Sequence, residues 1–490
     1  MFTKAILFGA PVALLMSTTA LCALTADEVW ADLQGLASGN GGEIKAATQV
    51  AGDGVITLNG VTIGPAGGPA AITIAEMSIE EQDDGSVAFF PEDIKIAADA
   101  GTTASVEQNG LAISVFEDEG GLGYGIYADM LKVAFDTTTG TGEAASRTAG
   151  SVLFEALDGT YGRGTGEMTL DMVAKRLAYD ITQVDPAAMV DSTSTSDSSD
   201  IELSGTLTIP EGVDLMTLDA PGAFEAALGK GMAASLAMTS GASKGTADER
   251  GPMMPLKATF EGGASQFDMN MDKTSLMIDT SASGLKGEIV PPGMPMPMPV
   301  SLDSLAMTYT MPVSAPEGGD YLVKLNLGKL VLGESVWGLF DPGAALPRDP
   351  INLALDLGGQ AKLDLLAMAA ASNGGMTQVA EPEPISLDIR QLAVNVAGAA
   401  LSGTGAFTFD NSMLAAGGPP MPIGTANLRL EGGNKLIDGL IATGLLKEED
   451  AMGARMMMAM FGKPEGDDVL TSQIEAKQGG SIFVNGQQIQ

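Results

Sequence analysis

The sequence predicts a mainly β protein built from large twisted antiparallel sheets, curved or sandwich-like, with a few short helices. Two observations carry this. Apolar and polar residues alternate with a period of two through the middle of the chain, and Asn-Gly pairs recur between the alternating runs. Leu256, Ala258 and Phe260 oppose Lys257, Thr259 and Glu261; Leu305, Met307, Tyr309 and Met311 oppose Ala306, Thr308 and Thr310. Ile385, Leu387 and Ile389 oppose Ser386, Asp388 and Arg390. One wet face per strand is the signature of antiparallel sheets, since buried parallel strands are apolar on both sides.

The elements follow in order. Residues 1–23 have the form of a secretory signal: Lys4, then an apolar stretch to Met16, then small residues before Cys22 and Ala23. The stretch falls short of the roughly 20 residues that a membrane-spanning helix needs. Cys22, the one cysteine, lacks the small residue before it that lipid attachment wants. The expectation is therefore a periplasmic, non-lipidated protein with no transmembrane segment after cleavage. Thr25 and Glu28 form a capping box, and Val29, Trp30, Leu33 and Leu36 recur at helical spacing behind it. Asn59-Gly60, between runs 55–58 and 61–63, and Asn109-Gly110, between runs 104–108 and 111–116, read as tight hairpin turns.

Residues 191–200 are Ser, Thr and Asp only, too polar to pack, and read as a long hairpin loop joining strands at 176–184 and 201–207. Residues 291–299 alternate proline with methionine and glycine and read as an extended crossing segment. Helices are expected at 220–232 and 335–340, and as a pair at 434–443 and 448–461 closed by Gly462 and Pro464. A last hairpin surrounds Asn485-Gly486. Length divides the chain into a β-rich region 24–215 and a second one, 216–490, holding the helix pair 434–461; one continuous elongated unit is the alternative.

Charge and composition exclude whole classes of function. A formal net charge of -37 repels phosphate backbones, so nucleic acid is no partner. The chain has no histidine, which removes the commonest general base and the usual zinc ligand. Gly241-Ala242-Ser243-Lys244-Gly245 matches a nucleophile elbow but has no histidine to take the serine proton. Ser283-Gly284-Leu285-Lys286 matches Ser-x-x-Lys, where a lysine serves as base, yet Gly284 and its strand-like flanks do not suit the helix such a serine opens. Gly120-Gly121-Leu122-Gly123-Tyr124-Gly125 misses the aspartate of a calcium-binding repeat, and Gly162-Arg163-Gly164-Thr165-Gly166 lacks the spacing of a dinucleotide loop. A paired-carboxylate hydrolase would need aromatic platforms, and Trp30 and Trp337 read as core anchors. No enzyme and no cofactor are expected.

Four elements carry a resemblance: Leu24-Thr25-Ala26-Asp27-Glu28-Val29-Trp30, Leu346-Pro347-Arg348-Asp349-Pro350, Ala451-Met452-Gly453-Ala454-Arg455-Met456-Met457, and Gly480-Ser481-Ile482-Phe483-Val484-Asn485-Gly486-Gln487. Together they resemble the alphaproteobacterial envelope family catalogued as domain of unknown function 2125. The resemblance implies export and a shared fold, and brings no activity, cofactor or catalytic residue.

The surplus that remains is methionine, 29 in all. Met269, Met271, Met307 and Met311 stand on apolar strand faces, and flexible thioethers suit an adaptable apolar groove as well as a core short of aromatics. The leading expectation is a binding or scaffold protein of the periplasm whose partner is an envelope component, with lipid as candidate ligand. The alternatives are a structural interaction protein without ligand, an outer-membrane barrel, which should show aromatic girdles, and a carboxylate-based hydrolase.

Overall fold

The computed structural model describes residues 24–39, 42–96, 102–118, 121–215, 218, 222–250, 256–291, 296–366, 382–414 and 417–489. The expected signal segment lies outside them, as do residues 292–295 of the proline-methionine segment. The described strands join one 26-stranded sheet whose pairings are all antiparallel.

The first strands are β1 (Gly42–Lys45), β2 (Thr48–Gly52), β3 (Val55–Pro65), β4 (Ile72–Glu81), β5 (Val87–Ile96), β6 (Thr102–Asn109) and β7 (Ala112–Asp118). Then come β8 (Gly121–Thr139), β9 (Ser146–Gly164), β10 (Glu167–Asp185), β11 (Val190–Thr208), β12 (Ala233–Ser240) and β13 (Ser243–Arg250). They continue with β14 (Leu256–Gly262), β15 (Ser265–Met271), β16 (Ser275–Val290), β17 (Met298–Pro312), β18 (Ser314–Leu332) and β19 (Ile351–Asp364). The last are β20 (Glu383–Val396), β21 (Ala399–Asp410), β22 (Met421–Glu431), β23 (Lys463–Gly466), β24 (Val469–Ala476), β25 (Ile482–Val484) and β26 (Gln487–Gln488). Each long strand pairs with the next, so the chain climbs the sheet as a meander. The sheet does not break near residue 215, because β11 pairs with both β12 and β13.

A crease crosses this meander. Along β8 and β9, Ala128 faces Leu157 and Met130 faces Glu155, while Ala156 between them stands at φ 49°. One ladder further, Ala174 faces Ile201 and Arg176 faces Ser199, with Asp200 at φ 49°. The same interruption occurs at Gly284 (φ 60°) between β16 and β17 and at Lys329 (φ 52°) in β18. A left-handed residue at a ladder break bends the strand sharply, as a β-bulge does.

The crease corrects two expectations. Gly60 does take a positive φ, 61°, but β3 runs straight through Asn59-Gly60, which is a bend and not a hairpin. Asn109-Gly110 separates β6 from β7, which lie end to end against the single strand β8. Asn-Gly supplies a left-handed residue, and hairpin turns and creases both demand one. Asn485-Gly486 alone of the three turns a hairpin, between β25 and β26.

The tract 191–200 is not a loop. It lies within β11, with β10 on one side and β13 on the other. Both ladders satisfy its main chain, and its side chains join cross-strand pairs such as Thr195–Thr246, 2.9 Å between hydroxyls. The turn falls earlier, at residues 186–189, with Met189 at φ 56°.

Among the described residues, five α-helices with full bounds cover parts of the sheet: α1 (Ala26–Gly39), α2 (Ala223–Gly229), α3 (Glu334–Phe340), α4 (Gly433–Ala442) and α5 (Glu448–Phe461). The expected capping box opens α1: Glu28 N–H donates to the Thr25 hydroxyl at 3.3 Å and Thr25 N–H to the Glu28 carboxylate at 3.1 Å. Val29 and Trp30 of α1 bury against Leu58, Val61, Ile79 and Val115, sealing that end of the sheet. Trp337 of α3, Leu346, and Leu436 and Leu440 of α4 form a second cluster near the other end. Asp341 is fully buried there, accepting from the N–H groups of Ala345 (2.8 Å) and Leu346 (3.0 Å). Arg348 lies 4.9 Å over the Trp337 ring. These contacts account for the Leu346-Pro347-Arg348 element as a packing device.

If the crease is held by backbone conformation, substitutions along it should have opposite signs. A left-handed backbone costs a residue with a side chain about 1–2 kcal/mol. Gly284→Val should lower unfolding stability by at least about 1 kcal/mol, although nothing but Gly263 N, 3.7 Å away, stands near its Cβ position. Ala156→Gly should leave it unchanged or raise it by up to about 1 kcal/mol. Urea denaturation of the two variants decides it, and a destabilised Ala156→Gly would contradict the account.

Candidate apolar trough

At each crease the alternation slips by one residue, and this decides which side chains share a face. In β17, Leu302 faces Leu285 of β16 on one side of the bend, and Leu305 faces Ala282 on the other. In β18, Leu330 and Leu327 continue the two rows. Without the extra residue, the apolar set of one arm would emerge on the opposite surface from that of the other arm. With it, both sets lie inside the bend. The cluster formed by Leu111, Ala128, Leu157, Ala174 and Ile201 is its floor, packed by Ile126 and Met172 from one arm and by Leu131, Phe154 and Leu177 from the other.

On the first arm, register runs apolar to apolar across many strands: Leu203 faces Met238, Met238 faces Phe267, Met307 faces Leu325, and Leu325 faces Leu355. On the second, Val133 faces Val152, Val152 faces Tyr179, and Gly245 faces Phe260. Charge is sorted by the same geometry. Across β14–β17, Lys257, Glu261, Asp268, Asp279, Lys286 and Glu288 all fall on the outer face, and no inward position carries a charge. At about 4.8 Å per strand step, the apolar face extends on the order of 80 Å from β3 to β24.

The two arms do not close on each other. Leu170, Met238 and Met307 on the first arm and Tyr179, Phe260 and Ile289 on the second are each 36–40% exposed. An open trough results, and across β14–β17 its walls carry no charge.

All four methionines singled out from the sequence lie on the inner face of the first arm. Met269 faces Ile278, which faces Tyr309; Met271 faces Leu276, which faces Met311. They differ in surroundings. Met271 packs into the cluster under α2 with Ala227, Leu228 and Val313, whereas Met307 stands in the open part. Sequence reading found the apolar face of Leu256, Ala258 and Phe260 but did not join it to Tyr179 and Ile289 as a second wall opposite the methionines. The available signal was an i, i+3 step between apolar residues, as in Leu302/Leu305 and Leu327/Leu330, that interrupts each period-two run.

The serine motifs resolve into crease geometry. Gly241-Ala242 is the break between β12 and β13, and Ser243 begins β13. Ser283 sits within β16 beside the crease residue Gly284, its hydroxyl donating to the Ala264 carbonyl at 3.1 Å. Both tryptophans are buried.

A hollow of about 860 Å³ lies over β10–β17, with its charged lining on the other face. Its charges cancel: Arg176, Lys244 and Lys286 stand among Asp197, Glu261 and Glu288. Asp197 and Glu155 accept from Arg176 at 2.9 and 2.7 Å, which holds its pKa above the ordinary value. It presents little net field to a ligand. Among the described residues, no three His, Cys, Asp or Glu side chains are placed to hold a metal ion, and no helix is long and apolar enough to cross a membrane.

A family model described as "Uncharacterized protein conserved in bacteria (DUF2125)" matches residues 213–480, more than half of the chain. No curated protein and no solved structure matches it.

Proposed function

The chain belongs to the uncharacterised bacterial family DUF2125, and we propose that it is a non-enzymatic envelope protein that holds a lipid-like molecule in the creased trough. One observation carries the reading: apolar side chains on both arms stand exposed to water, on a face that carries no charge across β14–β17. Monomeric proteins rarely leave a contiguous apolar patch beyond a few hundred Å² uncovered. Burial of each methylene of an acyl chain there contributes about 0.8 kcal/mol. The lack of inward charge across β14–β17 suits a hydrocarbon and leaves a polar head to point out through the open side. Mixed Leu, Met and Phe walls adapt to chains of differing shape. In this reading Met269 and Met307 contact the ligand, while Met271 and Met311 support the wall beside α2.

Export is part of the proposal. The signal-like residues 1–23 support it, and the periplasm is a compartment where lipids must cross water. The absence of histidine and the strand setting of Ser243 and Ser283 support a carrier with no catalytic group and no cofactor.

Two measurements test these claims. Protein recovered from the periplasmic fraction should begin between Ala23 and Thr25 with no acyl group on Cys22; an intact mass that retains residues 1–22, or a lipid adduct, contradicts it. A neutral fluorescent diacylglycerol should bind saturably to the purified protein. Met307→Lys should weaken that binding about tenfold or more, since it sets a charge against the hydrocarbon. Thr259→Lys on the outer face should leave it unchanged. Because Met307 is already 39% exposed, neither variant should shift stability by more than about 0.5 kcal/mol. No saturable binding, with both variants melting normally, would leave a scaffold without ligand.

A further inference from the structure

A second surplus of methionine lies outside the trough, on α5. Met452, Met456, Met457 and Met460 are 57–65% exposed. At 100° per residue they occupy one arc of the helix. The opposite side is the packed one: Ala451 is buried, and the Met458 sulfur lies against the start of α4, 3.2 Å from where a Cβ on Gly433 would stand. The exposed arc is therefore not a core surface that slipped outward.

Its composition points to sulfur and not to apolarity. The trough mixes Leu, Ile, Val, Phe and Met, whereas every large apolar side chain exposed on α5 is methionine. Leucine would give the same helix propensity and similar bulk. What the four share is a soft, polarizable thioether. Residues three and four apart are neighbours on a helix surface, about 5–6 Å between Cβ atoms. Met460 is thus beside both Met456 and Met457, and Met452 is beside Met456. Three flexible side chains can converge their sulfur atoms on one point.

We propose that α5 carries a binding site for a soft monovalent cation, copper(I), with the sulfurs of Met456, Met457 and Met460 as ligands and Met452 as a fourth donor. Thioethers select copper(I) over hard divalent ions, which prefer oxygen. No histidine exists in the chain to compete for it. The first turn of α5, Glu448, Glu449 and Asp450, places negative charge within about one turn of Met452 and about two turns of Met456. Arg455, the one cation of the helix, is held aside by Asp438 of α4. Binding is coordination alone, with no change in the metal's oxidation state.

The test uses the purified full chain under reducing, anaerobic conditions, titrated with copper(I) against a chromophoric competitor. One copper(I) per chain should bind, and X-ray absorption should show sulfur neighbours. The triple variant Met456→Leu, Met457→Leu, Met460→Leu keeps the helix face apolar and should lose at least about tenfold in affinity. Met269→Leu with Met307→Leu in the trough should bind copper(I) as the unaltered chain does. Unaltered affinity in the triple variant, or no competition for copper(I) by the unaltered chain, overturns the proposal. Circular dichroism of the triple variant confirms that any loss is not unfolding.

Discussion

Period-two alternation ties the direction of a side chain to its position in a strand, and a long strand cannot change surfaces without breaking that rule. The left-handed residues at the crease are how this protein breaks it. Gly60, Ala156, Asp200, Gly284 and Lys329 each stand at a ladder break where the pairing skips a position. Each lets one strand present apolar residues to the same interior from two arms. Remove the slip, and the second arm would turn its Leu, Phe and Val residues outward and its charges inward. The trough, the segregation of charge and the packing of the helices all depend on it.

The charge pattern then reads as part of the same design. A sheet of 26 strands with an apolar face invites stacking against another sheet. Here the charged residues of β14–β17 stand on the outer face, and the chain bears a formal net charge of -37. Mutual repulsion of such surfaces keeps copies apart. Internally, ion pairs such as Arg176 with Glu155 and Asp197 link neighbouring strands across the outside of the bend. They are exposed and each contributes little to stability; their service is to keep the outside polar. The apolar clusters do the holding: α1 at one end, α3 and α4 near the other, and the floor around Leu157 and Ala174 between them.

Much of the fold was legible in the sequence because it is written in local chemistry. The capping box at Thr25 and Glu28, the helix pair ending at Phe461, and the alternating faces around Phe267 and Met307 all stand where their patterns place them. What misled was chemistry that serves two geometries. Asn59-Gly60 and Asn109-Gly110 fit a hairpin and a crease equally, since each needs a left-handed residue. The Ser, Thr and Asp run at 191–200 has too few apolar atoms to form a core by itself, yet needs none when ladders on both sides hold it. The second wall of the trough stayed invisible for a subtler reason. A slip of one residue looks like the end of a strand, so an alternation that starts at Leu305 leaves Leu302 outside it. Alternation alone also does not distinguish two apolar faces that touch from two that leave a gap; Met307 and Phe260 decide that only by their exposure.

The central claim is that the inside of the crease, on both arms, is where an apolar chain lies. Photolabelling with a fatty acid carrying a diazirine along its chain, followed by peptide mapping, addresses it most directly. The account predicts labels on the inner positions of both arms, such as Met238 and Met307 on one and Tyr179 and Phe260 on the other, with the outer neighbours Thr239, Thr308 and Thr259 unlabelled. Labels spread evenly over both faces of the sheet, or confined to the outer hollow around Arg176 and Lys244, would contradict it.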